Sequence, residues 1–293
     1  MGHGAAVSVV RSAFACALLA IAGPAMADHH AHTRYSGELG AGYDSNVGNS
    51  EAAADIRESA FATGGASAEY FRQLNLFTTL VLRGGVQGEH YDRYEGLSNA
   101  KATGAARLLV RPDGGFLTPV LGAWVSASYW EFDSAIRDSD EYRGGLFANQ
   151  QITTRISGRL ALGAAWRESD SRVFDTHGAS AALNLDWRLA ERATLYGGYQ
   201  FYRGDVVSTA APTTLKIGLA AEEIEPDDAF GGLAANQRAY RLDAEAHVGT
   251  LGLNYALSSK LSADLQGQYV DTRADYGNEY QRVLAVLSLL ARF

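Results

Sequence analysis

From residue 33 onward the chain is a succession of segments in which apolar or small residues alternate with polar ones. Each runs for about 10–15 residues, the length of a tilted membrane strand. In the first, Tyr35, Gly37, Leu39, Ala41 and Tyr43 share one face and Arg34, Ser36 and Glu38 the other. In the third, Leu76, Thr78, Leu80, Leu82, Gly84 and Val86 oppose Arg83, Gln87 and Glu89. The fourth sets Ala100 to Val110, in steps of two, against Lys101, Thr103, Arg107 and Arg111. Ile156 to Trp166, Ala179 to Leu189 and Leu261 to Tyr269 repeat the pattern. Further strands are expected over 59–72, 117–132, 140–151, 193–204, 238–257 and 280–293, for a total of about twelve. The tenth changes phase: Tyr240, Leu242, Ala244, Ala246 and Val248 alternate, then Leu251, Leu253, Tyr255 and Leu257 do so one step out. A β-bulge near Gly249 is the expected cause.

The connections alternate in length as well. Those at 72–76, 112–117, 151–156, 189–193 and 258–260 are short, and those at 44–58, 91–100, 133–140, 170–177, 205–237 and 271–279 are longer. A meander in a membrane has this parity, with short periplasmic turns and longer external loops. The largest loop carries Glu222, Glu223, Glu225, Asp227 and Asp228, which reads as a solvated acidic stretch. Its 213–221 portion, with Leu215, Ile217 and Leu219 in alternation, is expected to add a short strand or to pack on the rim. Aromatic residues gather near strand ends. Tyr43, Tyr129, Trp166, Tyr199, Phe201, Tyr240 and Tyr269 lie toward the long loops, and Tyr35, Tyr70, Trp187, Tyr255 and Phe293 toward the short turns. Amphipathic rings at both membrane interfaces form such girdles. Backbone groups in lipid require internal partners, so a sheet of this kind must close. The expected fold is therefore all-β: a closed antiparallel transmembrane β-barrel of about twelve strands in up-and-down order, spanning 33–293, with the first strand zipped to the last.

The N-terminus supports export. Arg11 is its only charge before position 28, an apolar run from Ala13 to Ile21 follows, and Ala25-Met26-Ala27 forms a small-x-small cleavage site. Residues 1–27 are expected to be removed, leaving 28–32 as a short periplasmic tail. Cys16, the only cysteine, lies within the signal, so disulfide and thiol chemistry are absent from the expected mature chain. Of 25 basic and 33 acidic residues, the signal removes only Arg11. The acidic excess, with no basic run, excludes nucleic acid as a partner. His29, His30 and His32 read as part of the tail rather than as a metal site. His177 and Ser180 fall on opposite faces of one strand, out of mutual reach, so no enzyme is expected, and no cofactor.

Candidate chemistry lies on the inward faces. Arg83, Glu89, Arg107, Arg143, Arg159, Arg167, Asp186, Arg188, Arg241, Asp243, Glu245 and Arg282, with Glu141, are expected to line the lumen. Such residues form either a charged constriction that selects permeants or Arg–carboxylate cross-links that hold a largely closed barrel. Two alternatives for function follow: a porin-like channel or export component for a small polar solute or glycan, and a non-transporting surface protein, structural or adhesive, acting through loop 205–237.

Two short runs carry a resemblance. The terminal strand Val283–Phe293 (VLAVLSLLARF) resembles the C-terminal sorting signal of Gram-negative outer-membrane barrels, which ends in Phe. That resemblance implies an outer-membrane location, among lipid and lipopolysaccharide, reached with the help of periplasmic chaperones and the barrel-insertion machinery. Gly42-Tyr43-Asp44-Ser45-Asn46-Val47 resembles the first-strand motif of the barrels of surface lipoprotein assembly modifiers and related exopolysaccharide-export proteins. Their helical-repeat domain has no counterpart in the residues between the expected cleavage site and the first strand. Phe293 is the expected assembly signal: deleting it should lower the amount of heat-modifiable barrel recovered from outer membranes, and recovery at the full level would count against that role.

Overall fold

The structure, a computed structural model, describes residues 31–211 and 215–293. The expected signal, residues 1–27, lies outside the described residues, as do His29 and His30. The strands are β1 (Ala31–Asp44), β2 (Ser59–Gln73), β3 (Thr78–Tyr91), β4 (Asn99–Val110), β5 (Val120–Phe132), β6 (Ser139–Gln151), β7 (Ile156–Ser169), β8 (Thr176–Arg188) and β9 (Ala193–Ala210). A short helix α1 (Leu215–Ala220) and a short strand β10 (Glu223–Pro226) follow. Then come β11 (Arg238–Ala256), β12 (Leu261–Ala274) and β13 (Asn278–Arg292). With β10 set aside, each strand pairs antiparallel with the next, and β13 pairs with β1, so the wall is a closed meander of 12 strands. β1 starts at Ala31, two residues ahead of the expected boundary.

Closure runs from Ser36 opposite Arg292 to Asp44 opposite Leu284. Phe293 extends it: its N–H donates to the Tyr35 carbonyl at 2.9 Å and its carbonyl accepts from the Tyr35 N–H at 3.3 Å. Following the pairings once around the wall returns to β1 displaced by about 16 residues, which sets a strand tilt of roughly 40–45°. No register slips along the way, so a position that faces inward on one strand faces inward along its whole length.

The outward face is an apolar band. Leu39 is 70% exposed and Leu146 63%, the outward apolar surface expected of a barrel wall that faces lipid. Tyr35, Tyr255, Trp187 and Phe293 edge the band toward the termini, and Tyr43, Trp166, Tyr199 and Tyr269 edge it toward the loops. Inward aromatic rings lie flat on the wall because glycine faces them on the neighbouring strand. Phe147 covers Gly122, Trp124 covers Gly145, and Tyr196 covers Gly252. A Cβ at any of these glycines would strike the ring.

β11 departs from expectation. Its pairings with β9 and β12 are continuous through Gly249, so there is no bulge. The phase change is an inversion of environment. Leu251, Leu253 and Tyr255 face lipid, whereas Leu242 and Tyr240, on the other face of the same strand, are buried, at 1% and 3% exposure. Above the membrane band the strand obeys soluble-protein rules, apolar inside and charged outside. Tyr240 is accordingly no girdle residue. β12 and β13 also run further than expected, to a three-residue connection at 275–277.

The closing seam is locked at the loop end. Arg282 on β13 grips Asp44 on β1 through Nε, at 3.0 and 2.9 Å to the two carboxylate oxygens, and through a guanidinium NH2. Asp44 is fully buried and Asn46 N–H also donates to it at 3.0 Å. Asn46 in turn donates to the Gln281 carbonyl at 3.1 Å, and the Val283 N–H donates to Ser45 Oγ at 2.8 Å. Replacing Asp44 by Ala leaves a mostly buried guanidinium unpaired, at a cost of about 3 kcal/mol. Asp44→Ala should therefore lower the temperature at which the folded band converts on SDS gels, with Asp44→Asn falling between it and the parent.

Candidate functional site

The inward faces define the lumen. Even-numbered positions of β1, β5, β8, β9, β11, β12 and β13 point in, as do odd-numbered positions of β2, β3, β4, β6 and β7. By this register Arg83, Glu89, Arg107, Glu141, Arg143, Arg159, Arg167, Asp186, Arg188 and Arg282 face inward. Arg241, Asp243 and Glu245 do not. They occupy odd positions of β11, opposite Val207, Asp205 and Arg203 of β9, on the outer face. Glu245 there pairs with Arg203 at 3.4 Å. The apolar half of this stretch had to be assigned a side from sequence, and above the membrane band that side is the inner one.

Several inward charges are neutralised in place. Arg107 contacts Glu69 at 2.5 Å, Arg143 contacts Glu141 at 2.7 Å, and Arg282 holds Asp44. Arg167 donates to Ser139 Oγ at 2.8 Å and lies 5.2 Å from the Trp130 ring. On the far wall Asp264 accepts from the Tyr196 hydroxyl at 2.7 Å and from Asn254 Nδ2 at 3.0 Å. Others remain without a carboxylate at ion-pair distance among the described residues. Arg83 reaches only Ser67 Oγ, at 3.3 Å. The Lys101 ammonium sits 4.1 Å from the Trp130 ring centroid, and the Arg159 guanidinium 4.1 Å from that of Phe147. These three, with Arg107 and Arg292, border one cavity of about 610 Å3. Its remaining lining mixes polar side chains (Ser36, Glu38, Thr63, Ser67, Gln87, Thr103 and Ser126) with Trp124, Val86, Val125, Leu290 and several glycines and alanines. Lys101, Glu38 and Glu69 were not among the residues expected to matter. Odd spacing with Arg83 and Arg107, across the longer β3–β4 connection, is the signal that locates Lys101.

The loop end is covered. At Gly204, where φ is +146° and a Cβ would meet the His177 carbonyl, β9 leaves β8. β9 and β11 continue as a free hairpin, paired from Asp205–Asp243 to Ala210–Arg238, and the described residues of the 205–237 segment touch every other long connection. Toward the first, the Thr209 N–H donates to the Gly48 carbonyl at 2.7 Å and Asn49 Nδ2 to the Val207 carbonyl at 3.0 Å. Toward the second, Phe230 packs on Tyr94 with ring centroids 5.0 Å apart. Toward the third, Asp227 takes Arg137 at 2.6 Å and Asp228 takes Ser134. Toward the fourth, Ser171 Oγ donates to Glu225 at 2.5 Å. Toward the last, Ile217 of α1 packs with Ala274, Tyr240 and Leu242. Burial there raises the Tyr240 phenol above its ordinary value. A segment bonded to loops on all sides of the mouth lies across it, as a lid. Of the 213–221 stretch, Leu215–Ala220 thus contributes a helix to the rim, not a strand, and the acidic run is a set of stitches, not a solvated loop.

Arg137 is the centre of these stitches. It pairs with the fully buried Asp227, lies 4.3 Å from the Phe174 ring and 5.9 Å from that of Phe230. Asp227 also accepts from Thr209 Oγ1 at 2.6 Å. His177 and Ser180 fall on opposite faces of β8, His177 outward beside Asp205 at 2.6 Å.

No family model matches the chain, and no curated protein matches it. Among solved structures, an outer membrane channel from Pseudomonas putida F1 aligns with a TM-score of 0.59 at 12% identity, over 92% of this chain and 100% of that one. The KdgM porin in complex with disordered oligogalacturonate aligns at a TM-score of 0.47 and 9% identity, over 88% and 99%. The translocator domain of the autotransporter NalP from Neisseria meningitidis aligns at 0.40 and 10%, over 98% of each. The first of these shares the barrel fold; the other two are too distant to carry an argument.

Asp227→Ala strands Arg137 in a buried site, a loss of about 3–5 kcal/mol to the lid's attachment. Amides and peptide bonds of 205–237 should then exchange hydrogen and yield to protease faster, while the barrel strands stay protected; unchanged protection of that segment would show the lid held by other contacts.

Proposed function

We propose that the chain is a porin-like channel of the Gram-negative outer membrane, passing small polar solutes, with its lid external and its termini in the periplasm. The observation that carries the reading is the cavity bordered by Arg83, Lys101 and Arg159, three cations with no carboxylate at ion-pair distance among the described residues. A barrel interior that serves only to hold the wall together gains by pairing its charges, as Arg107 and Arg143 do. Leaving three unpaired along one cavity costs stability and suits a passage. The apolar band and its aromatic edges suit a bilayer, with lipid and lipopolysaccharide as surroundings and the insertion machinery and chaperones as assembly partners.

Two finer readings rest on less. A relation to lipoprotein- or exopolysaccharide-export barrels has the Gly42–Val47 run behind it, and here that run fastens the seam and the lid. The adhesive alternative needs 205–237 to project, yet the segment is folded across the mouth, which favours a gated channel. An enzymatic role has no constellation to support it among the described residues.

In planar bilayers the parent protein should show low or infrequent conductance, and Asp227→Ala more frequent or larger openings. Absence of conductance from both, across repeated insertions of heat-modifiable protein, would sink the channel reading.

A further inference from the structure

We infer that the lumen takes anions, solutes of metabolite size bearing carboxylate or phosphate groups; this rests on the channel reading above. The chain carries a formal net charge of −8, yet its interior is biased the other way. Of the inward acids, Glu69, Glu141 and Asp44 pair with arginines, and Asp264 and Glu38 accept hydrogen bonds from neutral Tyr196, Asn254 and Ser288. Glu89 and Asp186 have no base at ion-pair distance among the described residues, and the inward bases still outnumber the inward acids. Of the inward bases without a carboxylate at ion-pair distance among the described residues, Arg167 and Arg188 lie elsewhere on the inner face. Arg83 on β3, Lys101 on β4 and Arg159 on β7 gather around one space, which Arg292 also borders. Aromatic faces hold Lys101 and Arg159, over Trp130 and Phe147. A ring face attracts a cation without cancelling its charge, so each head group is fixed in direction and still available to a permeant.

The surroundings amplify the effect. A slot bounded by low-dielectric wall focuses the field of unpaired charges, raising the local concentration of counter-ions and excluding co-ions. The cavity, about 610 Å3, holds on the order of twenty waters at liquid density. An anion of a few carbon atoms enters it only by giving up part of its hydration, and guanidinium and ammonium donors replace what is lost. A neutral solute gains nothing comparable, and a cation is repelled. The paired arginines, Arg107, Arg143 and Arg282, do the separate work of holding the wall.

The test is the reversal potential of the Asp227→Ala channel, and of the parent where it opens, across a potassium chloride gradient. A chloride preference over potassium of roughly threefold or more is expected for three unpaired charges in a narrow lumen. In the combined variant Arg83→Ser, Lys101→Ser, Arg159→Ser the preference should collapse toward unity or reverse. The charge-keeping pair Arg83→Lys, Arg159→Lys should retain it, which separates loss of charge from loss of packing. Inorganic phosphate added to the parent should reduce the chloride current, and do so less in the serine variant. A conducting channel that prefers potassium or has no preference, or a serine variant with selectivity unchanged, would overturn the inference while leaving the channel reading intact. Conductance that never appears overturns the channel reading itself.

Discussion

A backbone N–H or C=O that faces lipid must find its partner within the protein, and this barrel is organised around that demand. Twelve strands satisfy it only when the last is bonded to the first. The seam therefore carries more than its share of specific chemistry. Along most of its length the partners are backbone groups between Ser36–Asp44 and Leu284–Arg292. At the loop end, where water reaches the sheet and backbone pairing alone would fray, Asp44 and Arg282 add a buried ion pair, and Ser45 and Asn46 bond across to β13. At the other end Phe293 finishes the ladder against Tyr35 and presents its ring to the membrane edge. The residues expected to serve as an assembly signal are thus also those that complete the last hydrogen bonds of the seam.

What the sequence makes legible is whatever the membrane enforces periodically. Lipid on one side and a polar lumen on the other write a two-residue period into every strand, and most of β1 to β9 can be placed from it, with Arg83, Arg107, Arg143 and Arg159 on the inner face. The rule fails where the membrane ends. In β11 the outward residues below are Leu251, Leu253 and Tyr255, and the buried ones above are Leu242 and Tyr240 on the opposite face. A single straight strand crosses from one solvent to another and inverts its pattern, which is indistinguishable in sequence from a register slip. Assigning Arg241, Asp243 and Glu245 to the lumen follows from extending the membrane rule past its boundary. A wall without slips, returning to β1 with an even displacement, leaves no bulge to absorb the inversion.

The lid was illegible for a different reason. Its contacts are between segments far apart in sequence, Asp227 with Arg137, Phe230 with Tyr94, Thr209 with Gly48, and no period links them. Composition pointed the wrong way, since an acidic stretch such as 222–228 is the usual mark of a solvated loop. In this fold each acid meets a base or hydroxyl on a neighbouring loop or on β11, so the run is acidic because its partners are Arg137, Arg172, Arg241, Ser134 and Ser171. The Asp44–Ser50 stretch has the same double character. Its first residues lock the seam, while Asn49 and Ser50 hold the tip of the β9–β11 hairpin. Lid and seam are consequently coupled through one loop.

That arrangement segregates charge by height in the barrel. The acids of the lid are satisfied by residues at the mouth, so they do not offset the bases below. An anion in the cavity faces Arg83, Lys101 and Arg159, beside the paired Arg107 and against the single carboxylate of Glu38. Lifting the lid about Gly204 sharpens the contrast. Asp227 leaves with the lid, whereas Arg137 belongs to the third loop and stays stacked on Phe174 of the fourth, 4.3 Å away. The base that fastens the closed lid becomes a free cation at the rim of the open one. Opening would then extend the basic path outward from the lumen instead of only removing an obstruction. The Asp227–Arg137 pair, one of several contacts that cover the mouth, would thereby link that covering to the charge the mouth presents when uncovered.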